Sequence, residues 1–306
     1  MCGLAGYIGI SKHNDLSFEI LSNLFGKNEL RGTDASGFWG YASESNKVST
    51  HKEPTKSSLF TKSNIWNNLK KIKFDVLITH ARGASKGYGD PQNNENNHPF
   101  VNENNSIALI HNGKLEEQEY ECLKKKYKIN TECDSEILLR IFECELKEDT
   151  KYQESRINAF HSIFSVINHG HMAVAISEIF DGFSNLWLFR NKHRPLWIVD
   201  LRDALGQIFF FSDPQLWIQM LEDLNQDAKM FLGKQIFTQI APEQIYHFNL
   251  QENNNIIFDI FNVSRTSQYE PWIYHGNLMS KIYDSTKRLV VEKISEDNFK
   301  EKIKIE

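Results

Sequence analysis

Cys2 stands directly behind Met1 in Met1-Cys2-Gly3-Leu4-Ala5-Gly6-Tyr7-Ile8-Gly9, so loss of Met1 would leave a thiol and a free α-amine on one residue. A cysteine thiol titrates near about 8.5 and an α-amine near about 7.7–8.0, which sets a nucleophile beside a base able to carry its proton. A cysteine at position two also arises by chance, so other residues must complete the chemistry. An amide hydrolase working through Cys2 needs an oxyanion site, groups that recognise its substrate, and a way to exclude water.

Candidates for each are present. His111-Asn112-Gly113 ends an apolar run, where the Asn112 side-chain amide and the Gly113 N–H can point at one oxygen; Asn-Gly is equally a hairpin-turn signal. Arg82, flanked by Gly83 and Ala84, can hold a carboxylate through its forked guanidinium, or make a surface ion pair. Asp134 opens a helical pattern, where its carboxylate suits either a substrate ammonium or a helix N-cap. His80, His98 and His111 match no metal-ligand spacing and are expected to pack structurally.

The elements that must position these residues follow from periodicity. A first strand is expected over Gly3–Ile10. A helix follows, with Leu16, Ile20, Leu21, Leu24 and Phe25 on one face and Gly26 as its stop. An extended region spans Gly37 to Thr50, and apolar strands are expected at Phe74–Thr79 and Ser106–His111. The Gly87-to-Asn97 stretch between them reads as a mobile polar loop. Leu115–Tyr127 and Asp134–Leu146 are helical by spacing, and Ile157, Phe160, Phe164 and Ile167 mark another helix. Short strands then follow at His171–Ser177, Asn185–Phe189, Pro195–Asp200 and Gln207–Phe211. Runs such as Met-Ala-Val-Ala-Ile and Ile-Phe-Phe-Phe lack alternation, as in sheets covered on both faces.

Composition bounds the rest. The chain has 306 residues, of which 40% are hydrophobic, enough for one large core or two modest ones. A net charge of −5 provides no overall basic footprint, so nucleic acid is not indicated. Lys124-Lys125-Lys126 reads as a solvated helix face. No apolar run approaches the roughly 20 residues of a membrane span, and no signal-peptide pattern opens the chain, so a cytoplasmic location without membrane attachment is expected. Cys2, Cys122, Cys133 and Cys144 form no paired or zinc-like motif, so reduced thiols and no metal are expected.

Met-Cys-Gly-Leu-Ala-Gly, Arg31-Gly32-Thr33-Asp34-Ala35-Ser36-Gly37, Thr79-His80-Ala81-Arg82, His98-Pro99-Phe100, His111-Asn112-Gly113 and Asp134-Ser135-Glu136 together resemble, in order, the class II glutamine amidotransferases. Arg190-Asn-Lys-His-Arg194-Pro195-Leu196 and Phe211-Ser212-Asp213 extend the likeness and look like the family's second sheet. The resemblance implies an α+β fold, the four-layer αββα sandwich of N-terminal-nucleophile hydrolases. Residues 1–250 would form the glutaminase domain, with 251–306 an extension of the same unit ending in a charged tail. It implies that Cys2 attacks the side-chain amide of L-glutamine through a γ-glutamyl thioester. Asn112 and Gly113 would form the oxyanion hole, Arg82 would hold the α-carboxylate and Asp134 the α-ammonium. Ser85 would contact substrate, and Arg31 would support the nucleophile.

No cofactor is implied, and the ammonia would pass to a separate synthetase subunit, because the residues beyond about 250 leave no room for an acceptor domain. The family often has a tryptophan after the arginine; here the run is Arg82-Gly83-Ala84-Ser85, which keeps a hydroxyl and lacks the aromatic lid. The segment Lys86–Asn97 is expected to substitute for that lid. Two other readings stand beside this one: a free-standing amidase acting on another amide such as a γ-glutamyl compound, and an inactive scaffold subunit.

Overall fold

Alternate residues of the first strand, β1 (Gly3–Ile8), are buried on opposite sides, Leu4 and Ile8 in one apolar cluster and Ala5 and Tyr7 in another. The computed structural model describes residues 1–146, 151–167, 170–233, 235–263 and the backbone of 289–291. After β1 the chain continues through α1 (Asn14–Lys27), β2 (Ala35–Ala42), β3 (Lys47–Glu53), α2 (Ser57–Phe60), α3 (Asn64–Asn68), β4 (Val76–Arg82), β5 (Phe100–Val101) and β6 (Ile107–Lys114). Then come α4 (Glu117–Lys126), α5 (Asp134–Cys144), α6 (Tyr152–Val166), β7 (His171–Phe180), β8 (Phe183–Arg190), β9 (Trp197–Leu201) and α7 (Arg202–Leu205). The last elements are β10 (Gln207–Phe211), α8 (Pro214–Asp223), α9 (Gln226–Leu232), β11 (Gln235–Gln239), β12 (Gln244–Leu250), β13 (Ile256–Asn262) and β14 (Leu289–Val291).

Among the described residues the strands make two sheets, in the orders β14-β11-β9-β10-β1-β4-β2-β3 and β13-β12-β8-β7-β6-β5. Leu4, Ile8, Val76 and Ile78 of the first sheet pack against Ala108, Ile110, Ala173, Ala175, Leu186 and Leu188 of the second. The outer face of the first sheet is covered by α1 and α8 through Leu21, Leu24, Phe25, Leu216 and Trp217. Ile137, Ile141 and Phe142 of α5, with Phe160 and Ile163 of α6, cover the outer face of the second. This is the expected four-layer αββα sandwich. A strand with helices on one side and a sheet on the other needs apolar residues at every position, which is why its sequence does not alternate.

Several boundaries differ from those the sequence suggests. Gly26 lies inside α1, which runs to Lys27 and passes into a 3₁₀ turn at Asn28–Leu30. A helical glycine costs about 1 kcal/mol relative to alanine, whereas each fully buried Leu, Ile or Phe contributes roughly 1.5–3 kcal/mol. The stripe of Ile20, Leu21, Leu24 and Phe25 therefore carries the helix through. The extended region at 37–50 is a hairpin of β2 and β3, turning at Asn46, which has φ 45°. The Phe211-Ser212-Asp213 run belongs to the sheet of β1, not to the second: β10 pairs directly with β1, Ala5 opposite Phe211. The charged tail from Glu292 onward lies outside the described residues.

Topology brings the candidate residues to one end of the sandwich. β1 is central in its sheet, between β4 and β10. Gly3 pairs with Ala81, and the next step of that register sets Cys2 beside Arg82. Facing them, Asn112 and Gly113 lie within β6, opposite Ala173 and Met172 of β7.

Candidate active site

Cys2 is 7% exposed and belongs to the apolar cluster packed between the sheets. Its backbone N–H donates to Asn112 Oδ1 at 3.0 Å, and its Sγ lies 3.7 Å from the Gly83 carbonyl oxygen. Arg31 Nε donates to the Cys2 carbonyl at 3.1 Å while Arg31 Nη1 pairs with Asp213 Oδ2 at 3.0 Å. Leu4 N–H donates to Ser212 Oγ at 2.9 Å. The backbone on both sides of the thiol is thus held by side chains from three other segments. Burial pushes the Cys2 thiol above its ordinary pKa; the Gly83 contact, the N-terminal charge and Arg82 pull it back, and Asp134 raises it. With Met1 attached, the thiolate is scarce at neutral pH, and the amide nitrogen of Cys2 cannot act as a base.

Asn112 and Gly113 are strand residues, not a turn. Asn112 Oδ1 is taken by the Cys2 N–H, while Asn112 Nδ2 is buried with no partner among the described residues. A buried amide donor without a partner costs about 1–3 kcal/mol, so this orientation marks a position suited to an oxyanion. A Cβ on Gly113 would fall 1.7 Å from the His171 carbonyl oxygen, so only glycine allows β6 to lie this close to His171.

Arg82 is the last residue of β4 and is 3% exposed. Its guanidinium donates to Asn97 Oδ1 at 2.7 Å, to the Tyr88 carbonyl at 2.7 Å and to the Gly89 carbonyl at 2.9 Å. Asn97 Nδ2 reaches the Pro91 carbonyl at 2.8 Å, and Asn96 and Asn97 are both fully buried. The polar segment at 87–97, expected to be mobile, is instead folded around this guanidinium. Asp134 is buried at the first turn of α5, but the residue at the N-cap is Cys133. Asp134 Oδ2 accepts from Leu115 N–H at 2.8 Å, and the Tyr88 hydroxyl donates to the Leu115 carbonyl at 2.7 Å. Ser85 is half-buried at the rim of a cleft of about 530 Å³ that is also lined by Lys86, Asp90, Tyr120, Lys124 and Glu132. That cleft begins one residue past Gly83, and its lining does not include Cys2 or Asn112.

His80 and His98 stack with ring centroids 3.9 Å apart, and His80 Nε2 donates to the His111 carbonyl at 2.9 Å, a second link between the sheets. Burial drives the pKa of His80 down to about 3, that of His98 well below the ordinary range and that of His111 down as well. These imidazoles are neutral at pH 7 and pack as expected. The unfolded chain takes up protons on them near about pH 6.5, whereas the folded chain does so far lower, so stability is full above that pH and falls as pH drops through 5. The urea midpoint is therefore lower at pH 5 than at pH 7, and His98→Phe shrinks the difference. An unchanged difference in the variant would contradict this account.

Ser212 and Asp213, which fix the backbone of the nucleophile strand, and the Gly83 carbonyl were not singled out individually from the sequence. Phe211-Ser212-Asp213 was the only signal for the first two. Among the described residues no group of three or more His, Cys, Asp or Glu side chains is arranged to hold a metal. None of the described helices is long and apolar enough to cross a membrane.

Two facing antiparallel sheets between helical layers, with Cys2 leading into the central strand, make the αββα sandwich that N-terminal-nucleophile hydrolases have. Over 152 residues the chain is 32% identical to the glutamine--fructose-6-phosphate aminotransferase [isomerizing] of Clostridium perfringens (strain 13 / Type A), covering 49% of this chain and 23% of that protein. Over 183 residues it is 32% identical to the enzyme of the same name from Helicobacter pylori (strain J99 / ATCC 700824), covering 58% and 28%. Among solved structures it superposes on the glutamine phosphoribosylpyrophosphate amidotransferase from B. subtilis, complexed with ADP and GMP. There the TM-score is 0.57 at 19% identity, over 87% of this chain and 50% of that one, a likeness of fold. No family model matches. Over these stretches the chain is similar to class II glutamine amidotransferases. It spans about a quarter of the length of the curated relatives it matches.

Proposed function

We propose that this protein hydrolyses the side-chain amide of L-glutamine through Cys2 and delivers the ammonia to a separate acceptor synthetase. The observation that carries the reading is the Cys2–Asn112 contact, in which the Cys2 N–H engages Asn112 Oδ1 and leaves the buried Asn112 Nδ2 without a partner among the described residues. Removal of Met1 turns the Cys2 amide nitrogen into an amine, which takes the thiol proton as sulfur attacks the amide carbon. Asn112 Nδ2 and the Gly113 N–H carry the charge that develops on oxygen. The amine returns the proton to the departing nitrogen, the C–N bond breaks and a thioester remains, which water hydrolyses to glutamate.

Arg82 and Asp134 supply opposite charges for the substrate's α-carboxylate and α-ammonium, and Ser85 a hydroxyl at the cleft rim. The Arg82 fork already serves loop acceptors, so the substrate carboxylate takes over at least one of those contacts. Arg31 acts by holding the Cys2 carbonyl. We assign residues 1–250 to the glutaminase domain and the following stretch to the same unit, which the pairing of β13 with β12 supports.

Intact-mass analysis with 6-diazo-5-oxo-L-norleucine, a glutamine-mimicking electrophile, tests the reading. The expected result is loss of the Met1 mass and a single adduct that Cys2→Ala abolishes. Retained Met1, or no adduct on the processed chain, would overturn it.

A further inference from the structure

Gly83 faces the N-terminus from the strand end that carries Arg82. A Cβ built there would lie 2.6 Å from the Met1 carbonyl oxygen and 3.0 Å from the Met1 nitrogen. Gly83 is not among the glycines with positive φ, so its backbone does not demand glycine; the space does. Met1 occupies that space and is 68% exposed, so the ground beside the Cys2 nitrogen opens directly to solvent.

Resting on the proposed amide hydrolysis, we infer that the space released by Met1 is the leaving-group pocket, and that its size admits N-substituted γ-glutamyl amides as well as glutamine. The chemistry fixes the direction. The Cys2 amine must hand its proton to the departing nitrogen, so that nitrogen, with whatever it carries, sits next to the Cys2 nitrogen, on the side Met1 held. Sulfur adds to the γ-carbonyl carbon, the C–N bond breaks, and the thiol proton leaves with the free amine. Water then splits the thioester, giving glutamate and restoring the thiol, so no co-reactant besides water is needed. A substituent up to the size of an amino-acid residue meets no side chain at position 83 and projects outward. Residue 83 is therefore the specificity determinant for the leaving amine.

The test compares kcat/KM for glutamine, γ-glutamylethylamide and γ-glutamylglycine on the full processed chain, with Met1 loss verified by mass, in the wild type, Gly83→Ala and Gly83→Leu. Wild-type protein should turn over the substituted amides within about tenfold of glutamine, because the substituent leaves the transition-state contacts untouched. The ratio of substituted amide to glutamine should fall by about tenfold or more in Gly83→Leu, with Gly83→Ala between, as steric filling of a pocket requires. Alanine adds only one carbon, so it reads out the trend even if leucine prevents folding. Glutamine hydrolysis with the substituted amides about a hundredfold slower, or a ratio indifferent to residue 83, would overturn the inference and leave the glutaminase reading standing. A processed chain that forms no norleucine adduct and turns over neither class would remove that reading and this inference with it.

Discussion

Cys2→Ala lowers glutamine hydrolysis by on the order of 10⁴-fold or more, because it removes the only atom that can form the thioester. The rest of the site survives the change. Among the described residues Sγ makes one long polar contact, to the Gly83 carbonyl, and the backbone of residue 2 is held independently by Asn112 and Arg31. Deleting one buried sulfur should cost about 1 kcal/mol of stability, so the variant folds and its urea midpoint stays close to wild type. Cys2→Ser is nearly as inactive, since a hydroxyl gives up its proton to the amine far less readily than a thiol. Steady-state glutaminase kinetics alongside an unfolding curve decide the matter. Residual activity within tenfold of wild type in a folded Cys2→Ala chain would mean that some other group does the chemistry.

The layers were legible because both faces of the strands are buried, so runs such as Ile208-Phe209-Phe210-Phe211 read as strand without alternation. Cys2 was legible by position alone. Asn112-Gly113 was ambiguous for a definite reason: its local signal is a hairpin turn, and what makes it strand is pairing with Ala173 and Met172, some sixty residues away. The stop at Gly26 failed because packing of four buried apolar residues outweighs one glycine's backbone entropy. The 87–97 segment has a loop's composition, yet its amides and carbonyls satisfy a buried guanidinium that only the folded chain brings there. Charge partners at long range, such as Arg31 with Asp213, left no mark on local sequence.

Asn112→Ala reduces kcat by about 10²–10³-fold with a much smaller change in KM, the loss expected when one oxyanion donor is removed. The argument turns on which atom of Asn112 is already engaged. Oδ1 accepts from Cys2 N–H in the resting chain, whereas the buried Nδ2 has no partner among the described residues, so its hydrogen bond is made when charge develops on the substrate oxygen. An interaction absent from the ground state appears in kcat, not in substrate affinity. Asn112→Asp separates the two jobs of the side chain. It keeps an acceptor for Cys2 but places negative charge where the oxyanion forms, so it should be at least as damaging as alanine. If Asn112 merely positions Cys2, the aspartate variant would instead retain most of the activity that alanine loses. Parallel kcat and KM measurements on the two variants distinguish these outcomes, and an aspartate enzyme faster than the alanine one would exclude the oxyanion role.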